Sequence, residues 1–127
     1  MAAFMAQRLG IVLFAHGSRD LLWHQPLETV RDRIAAAQPG TLACCAYLGL
    51  TPPTLGEAVA NLLAQGANTV RVVPMFLGMG LHARRDIPTL VQALRATHAG
   101  VAITLAPPVG EDPRMAALLT QIALEDT

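Results

Sequence analysis

Two short segments, His16-Gly17-Ser18-Arg19 and Gly80-Leu81-His82, each set a histidine beside a glycine. Imidazole ligates Fe, Co, Ni, Cu and Zn, and two protein ligands leave coordination positions open for exchange. Such a pair suits a site that releases its metal, whereas a structural zinc site would be closed. Neutral imidazole, with an ordinary pKa of about 6.5, is also a suitable proton acceptor near neutral pH. Residue type alone leaves a third reading open, in which each histidine is a satisfied polar residue at a strand end. His24 and His98 fall on helical segments and are expected on helix surfaces.

The neighbours of these histidines narrow the chemistry. Met75, Phe76, Leu77, Met79 and Leu81 surround His82, and such a run either plugs the core or lines an apolar slot for a flat ligand. Arg19, Arg84 and Arg85 flank the two histidines. Guanidinium forks grip carboxylates bidentately, so an organic polyacid could be held at the rim, although each arginine taken singly also reads as solvated surface. Asp86 is expected to cap a helix, or else to accept a hydrogen bond that orients an imidazole. Cys44 and Cys45 are adjacent, and strand alternation sends them to opposite faces, so they read as reduced core thiols.

These residues depend on the elements that carry them. Leu9–Ala15 is a continuous apolar run, as expected of a strand buried on both faces, and it ends at His16. Asp20 or Ser18 can cap a following helix from about Leu21 to Gln38, with Leu22, Pro26, Leu27, Val30, Ile34 and Ala37 at helical spacing. Thr41–Leu48 reads as a second strand, Pro53 with Thr54 opens a second helix, and Gly66 closes it. Thr69–Pro74 is a third strand, followed by a loop over Met75–Arg85 and a helix opened by Asp86-Ile87-Pro88 that ends near His98. Val101–Ala106 is the fourth strand, and Asp112-Pro113 opens a last helix through Leu124.

Strict alternation predicts an α/β fold: a three-layer, open, parallel four-stranded sheet in flavodoxin-like order with helices on both faces. Ligands in such sheets bind outside the carboxyl ends of the strands. There lie the loops His16–Asp20, Gly49–Pro53, Met75–Arg85 and Pro107–Asp112. Adjacent parallel strands are about 4.8 Å apart, so loops leaving neighbours can bring two imidazoles to one ion.

The 127 residues fit one domain, 1–127, because a second core would need roughly another 100 residues. Apolar residues reach 53% and charged residues only 14%, a surplus that implies a buried subunit interface. Net charge is zero and all nine basic residues are arginine, which argues against a nucleic-acid partner held by a broad positive field. Met1–Gly10 is short and broken by Gln7 and Arg8, so neither a signal peptide nor a membrane span is expected. The expected location is the cytoplasm.

Taken together, the segments resemble the short sirohydrochlorin cobaltochelatases, the half-size members of the class II tetrapyrrole chelatases. The likeness rests on His16-Gly17-Ser18-Arg19-Asp20, on Val72-Val73-Pro74-Met75-Phe76-Leu77 leading to Gly80-Leu81-His82 and Asp86-Ile87-Pro88, and on Pro108-Val109-Gly110 with Pro113. It implies a chelatase-like fold, a homodimer, and insertion of a divalent metal into sirohydrochlorin. Cobalt is the first expectation, nickel or ferrous iron the alternatives, and no organic cofactor is expected. His16 and His82 match the family's metal-binding and proton-accepting histidines. Ser18, Arg19, Met75, Phe76, Leu77, Met79, Arg84 and Arg85 are then the residues expected at the tetrapyrrole.

One departure stands out. Many relatives carry a glutamate after the second strand, where this chain reads Tyr47-Leu48-Gly49-Leu50-Thr51-Pro52-Pro53, and the nearest acid is Glu57 in the next helix. A carrier of metal or tetrapyrrole that performs no chemistry would tolerate that loss, so it stands as the alternative. Histidine phosphatases also place His-Gly after a first strand, but an arginine precedes their histidine and here Ala15 does.

Overall fold

The structure, a computed structural model, describes residues 6–126. Half of the leader reading, on residues 1–5, lies outside the described residues. Four parallel strands, β1 (Leu9–His16), β2 (Leu42–Leu48), β3 (Thr69–Pro74) and β4 (Ala102–Leu105), form one sheet in the order β2-β1-β3-β4. This is the expected flavodoxin-like order. The helices are α1 (Gln25–Ala37), α2 (Leu55–Ala64), α3 (Leu81–Thr97) and α4 (Pro113–Leu124).

Alternation along the strands divides the core in two. Val12, Phe14, Ala46, Val70, Val72 and Ile103 point to one face, where they meet Leu55, Val59 and Leu62 of α2 and Ala83, Ile87 and Val91 of α3. Leu13, Cys45 and Tyr47 point to the other, against Leu27, Val30 and Ile34 of α1. Cys44 packs against the first cluster and Cys45 belongs to the second, both as free thiols. Burial pushes the Cys44 thiol up to about 11, which leaves it protonated and inert at neutral pH. Gly10 lies against Leu62, whose side chain would meet a Cβ there at 2.9 Å, so helix and strand approach closely.

Caps fix where elements begin. Thr54 and Glu57 form a reciprocal box at the start of α2: the Glu57 N–H donates to Thr54 Oγ1, and the Thr54 N–H donates to Glu57 Oε1. Asp112 accepts from the Arg114 N–H at 2.8 Å and opens α4. Gly66 ends α2 at φ +104°, a conformation that favours glycine.

Two expectations need correction, and one helix found as expected packs unusually. The first helix does not start at Leu21: a 3-10 turn over Leu21–His24 precedes α1. Its tighter winding shifts the phase, leaving Leu22 exposed and turning His24 inward. The loop after β3 does not reach Arg85: α3 begins at Leu81 with Gly80 as its N-cap, so Asp86 lies in the helix and Pro88 inside it. Pro88 removes one helical hydrogen bond, but the buried stripe Ala83, Ile87, Val91 at i, i+4 spacing holds the helix through that point. Finally, α4 exists but contributes no buried residue: it adjoins chiefly the turn Val109–Glu111 before it.

Candidate metal and tetrapyrrole site

His16 is the last residue of β1, and His82 is in the first turn of α3, just after β3. β1 and β3 are paired neighbours, so both histidines belong to one rim of the sheet, and both are exposed. The His16 ring meets Phe76 edge-on, with centroids 4.8 Å apart. Among the described residues no group of three or more histidine, cysteine, aspartate or glutamate side chains could hold a metal ion.

The backbone behind His16 is tied from several sides. Its carbonyl accepts a hydrogen bond from the Trp23 indole Nε1 at 2.9 Å. Gly17 lies so close to the Thr51 side chain that a Cβ there would collide with it. The Ser18 N–H donates to His24 Nε2 at 3.3 Å, and the His24 ring stacks on Tyr47 at 4.1 Å between centroids. His24, expected on the surface, is therefore a buried acceptor, 9% exposed. Burial, reinforced by the neighbouring Cys45, pushes the Tyr47 hydroxyl up to about 12, so this support carries no phenolate charge near neutral pH. Ser18 Oγ accepts from the Asp20 N–H, and Asp20 Oδ1 from the Leu22 N–H, so both candidate caps build this turn.

The residues expected at the ligand divide into two groups. Phe76 is only 5% exposed and belongs to the core, while Met75 and Met79 are half-buried against opposite faces of the sheet. They support the rim. Leu77, Arg19, Arg84 and Arg85 are exposed, and no ion pair engages these arginines among the described residues. Ser18 is half-buried. Asp86 is exposed on α3 and caps nothing. His98 sits at the C-terminus of α3, and its N–H donates to the Leu94 carbonyl.

Of the apolar rim the sequence reading named Leu77 and Leu81 but missed Leu21, Leu22, Trp23 and Leu50. Leu21, Leu22 and Trp23 follow β1, Leu50 follows β2, and Leu77 and Leu81 follow β3; all six are exposed. Exposed apolar side chains gathered along one edge mark a binding surface. Trp23, Leu27, Tyr47, Met75 and Phe76 join His16 around a cavity of ≈ 210 Å³. The signal was the run Leu21-Leu22-Trp23 directly after a loop histidine, which helical spacing had assigned in part to the core.

A second clamp acts on the β3–α3 connection. The Gly110 N–H donates to the Phe76 carbonyl at 2.9 Å, and Gly110 lies directly on the Leu77 backbone, with no room for a Cβ. Pro108-Val109-Gly110 thus sets the height of Phe76, which in turn backs His16. After β2, Gly49 at φ +98° and exposed Leu50 occupy the segment where the resemblance led to the expectation of an acid. Glu57 is engaged in the α2 cap, and its hydrogen bonds with Thr54 hold its carboxyl below the usual range.

Comparison with known proteins agrees with this geometry. The CbiX family profile matches residues 10–126. The sirohydrochlorin cobaltochelatase of Saccharolobus solfataricus is 33% identical over 119 residues, covering 89% of this chain and 91% of that protein. That of Sulfolobus acidocaldarius is 30% identical over 115 residues, covering 91% and 89%. Among solved structures, a cobalamin (vitamin B12) biosynthesis CbiX protein from Marinobacter aquaeolei VT8 superposes with a TM-score of 0.78 at 35% identity, covering 92% of this chain and 93% of that one. The sirohydrochlorin chelatase SirB from Bacillus subtilis subspecies spizizenii, solved in complex with cobalt, shares the fold at 23% identity and a TM-score of 0.75; the match covers 91% of this chain and 49% of SirB. A four-stranded sheet in this order, shared with these solved structures, and a profile match over nearly the whole chain make it a member of the CbiX family.

Proposed function

We propose that the chain is a sirohydrochlorin chelatase that inserts a divalent metal, cobalt in the first instance, with His16 and His82 as metal ligands and proton acceptors. The observation that carries this reading is the exposure of both histidines on the carboxyl-end rim of adjacent strands, among six exposed apolar side chains. Relatives at 30% and 33% identity, named sirohydrochlorin cobaltochelatases, support the substrate. Nickel and ferrous iron also accept imidazole.

The chemistry is an exchange. Two pyrrole N–H protons leave the macrocycle as the dication enters, so charge balances at the ring. An imidazole nitrogen has one lone pair, which holds either the metal or a proton. Each histidine that passes the metal to the pyrrole nitrogens thereby frees the lone pair that can take a proton in return. Two weak ligands suit such a transfer better than a closed site.

The cavity beside His16, at ≈ 210 Å³, is smaller than the roughly 300–1,000 Å³ of pockets that enclose drug-sized ligands. The macrocycle therefore lies across the rim, its face on Leu21, Leu22, Trp23, Leu77 and Leu81, and its carboxylates toward Arg19, Arg84 and Arg85. A second copy of the chain closing over exposed apolar surface would complete a homodimer. Free Cys44 and Cys45 suit the reducing cytoplasm.

The missing rim carboxylate favours one other reading, a carrier that binds metal or tetrapyrrole without inserting one into the other. Mixing Co²⁺, sirohydrochlorin and purified protein while following the macrocycle spectrum separates the two. The chelatase reading predicts insertion well above the uncatalysed rate; binding without acceleration would leave the carrier.

A further inference from the structure

Glycine at position 17 leaves the His16–Gly17 peptide more rotational freedom than any other residue would. That peptide ends the strand from which the His16 side chain projects. Phe76 supports the ring from one side, but the orientation of the His16 carbonyl is held by the indole N–H of Trp23 at 2.9 Å. Trp23 is 60% exposed, so burial explains little of why so large a side chain stands here. Indole nitrogen is a donor only, and its partner is the carbonyl of a histidine on the rim.

We propose that Trp23 is a positioning residue for metal insertion. Its hydrogen bond locks the terminal peptide of β1 and so aims the His16 imidazole at the metal. The inference rests on the reading of His16 as metal ligand and proton acceptor. Misplacing a reacting group by about 1 Å can cost two orders of magnitude in rate, so a bond that restrains one peptide can govern turnover while adding little to stability.

Trp23 is the only tryptophan of the chain. Expression with β-(3-benzothienyl)alanine in place of tryptophan therefore exchanges N–H for sulfur at this position alone, with the bicyclic shape kept. Trp23→Phe provides the genetic counterpart. Expected in the benzothienyl protein is a fall in kcat of about tenfold, with the KM for sirohydrochlorin within about twofold, because the bicyclic face is kept and the loss falls on the reacting geometry. Trp23→Phe, which also trims the surface offered to the macrocycle, should show the same fall in kcat together with a raised KM. Co²⁺ titrated without tetrapyrrole should bind several-fold more weakly, and the thermal midpoint should stay unchanged.

His16→Ala, assayed beside them, separates the two levels of inference. If His16→Ala is inactive while the benzothienyl protein inserts metal at the normal rate, Trp23 has no positioning role and the reading of His16 stands. A drop in kcat that tracks a fallen thermal midpoint, with Co²⁺ affinity unchanged, would make Trp23 merely structural and overturn the proposal. Normal insertion by His16→Ala would remove His16 from the site, and the role of Trp23 with it.

Discussion

On the proposed reading single residues carry the chemistry, and one of them, His82, can be removed at little cost to the fold. His82 is exposed in the first turn of α3, and no side-chain hydrogen bond engages it among the described residues. His82→Ala should therefore change stability by no more than about 0.5 kcal/mol while abolishing metal insertion. Unfolding curves and the insertion assay on one preparation check both halves, and insertion at the normal rate would exclude His82 from the mechanism. The placement of both histidines at the carboxyl-end rim was legible in the sequence because glycine-bearing loops after apolar runs are conspicuous. His24 was not: its inward turn depends on a 3-10 segment, and helical spacing counted from Leu22 placed it one phase off. For Phe76 the sequence left two readings open, a slot lining and a core plug; the residue is buried in the core and also lines the cavity beside His16. Its side chain is buried in the cluster with Phe14 and other core residues, and its carbonyl is bound by Gly110 from thirty-four positions along the chain.

Elements turn those residues toward one another, and their boundaries were read unevenly. All four strands lie within one or two residues of expectation: β1 and β2 are written as unbroken apolar runs, and β3 and β4 as β-branched runs in which only Arg71 and Thr104 are polar between the ends. The start of α3 was missed because Gly80 caps without a side chain, while Asp86-Ile87-Pro88 imitates a helix start five residues into the helix. Two element-scale predictions follow from the loops that frame the rim. Gly110→Ala would drive a methyl group into the Leu77 backbone, which cannot yield as a flexible side chain would. A loss of about 1–3 kcal/mol, the usual range for overpacking, should accompany slower insertion as Phe76 and the His16 ring shift. An unchanged thermal midpoint would show that the two loops are not interlocked. Asp112 caps α4, and its hydrogen bonds from the Arg114 side chain and N–H hold its carboxyl down, at about 2. A depressed carboxyl pKa stabilises the fold above the ordinary value of 3.8, and that contribution is lost as pH falls from there through about 2. The difference in Tm between wild type and Asp112→Ala should accordingly shrink across that window; a constant difference would contradict the assignment.

At the scale of the whole molecule, two apolar surfaces lie open among the described residues. One is the rim around His16 and His82. The other is α4, where Leu118, Leu119, Ile122 and Leu124 are exposed. The composition already implied uncovered apolar surface, but not its location, because α4 has the same amphipathic spacing as a helix packed on a sheet. If a second copy covers α4, wild-type protein sediments as a dimer, and Leu118→Asp combined with Ile122→Asp sediments as a monomer. A dimer that survives both substitutions would move the interface elsewhere, and a monomeric wild type would remove it. No helix among the described residues is long and apolar enough to cross a membrane, so neither surface is accounted for by a spanning helix.

The central claim is that two imidazoles, sixty-six positions apart in the chain, meet one cation at the rim. X-ray absorption at the cobalt edge tests it directly on protein loaded with Co²⁺ in the absence of tetrapyrrole. The spectrum should contain the multiple scattering of two imidazoles in wild type and of one in either His16→Ala or His82→Ala. A cobalt shell without imidazole, or one that neither substitution alters, would contradict the account.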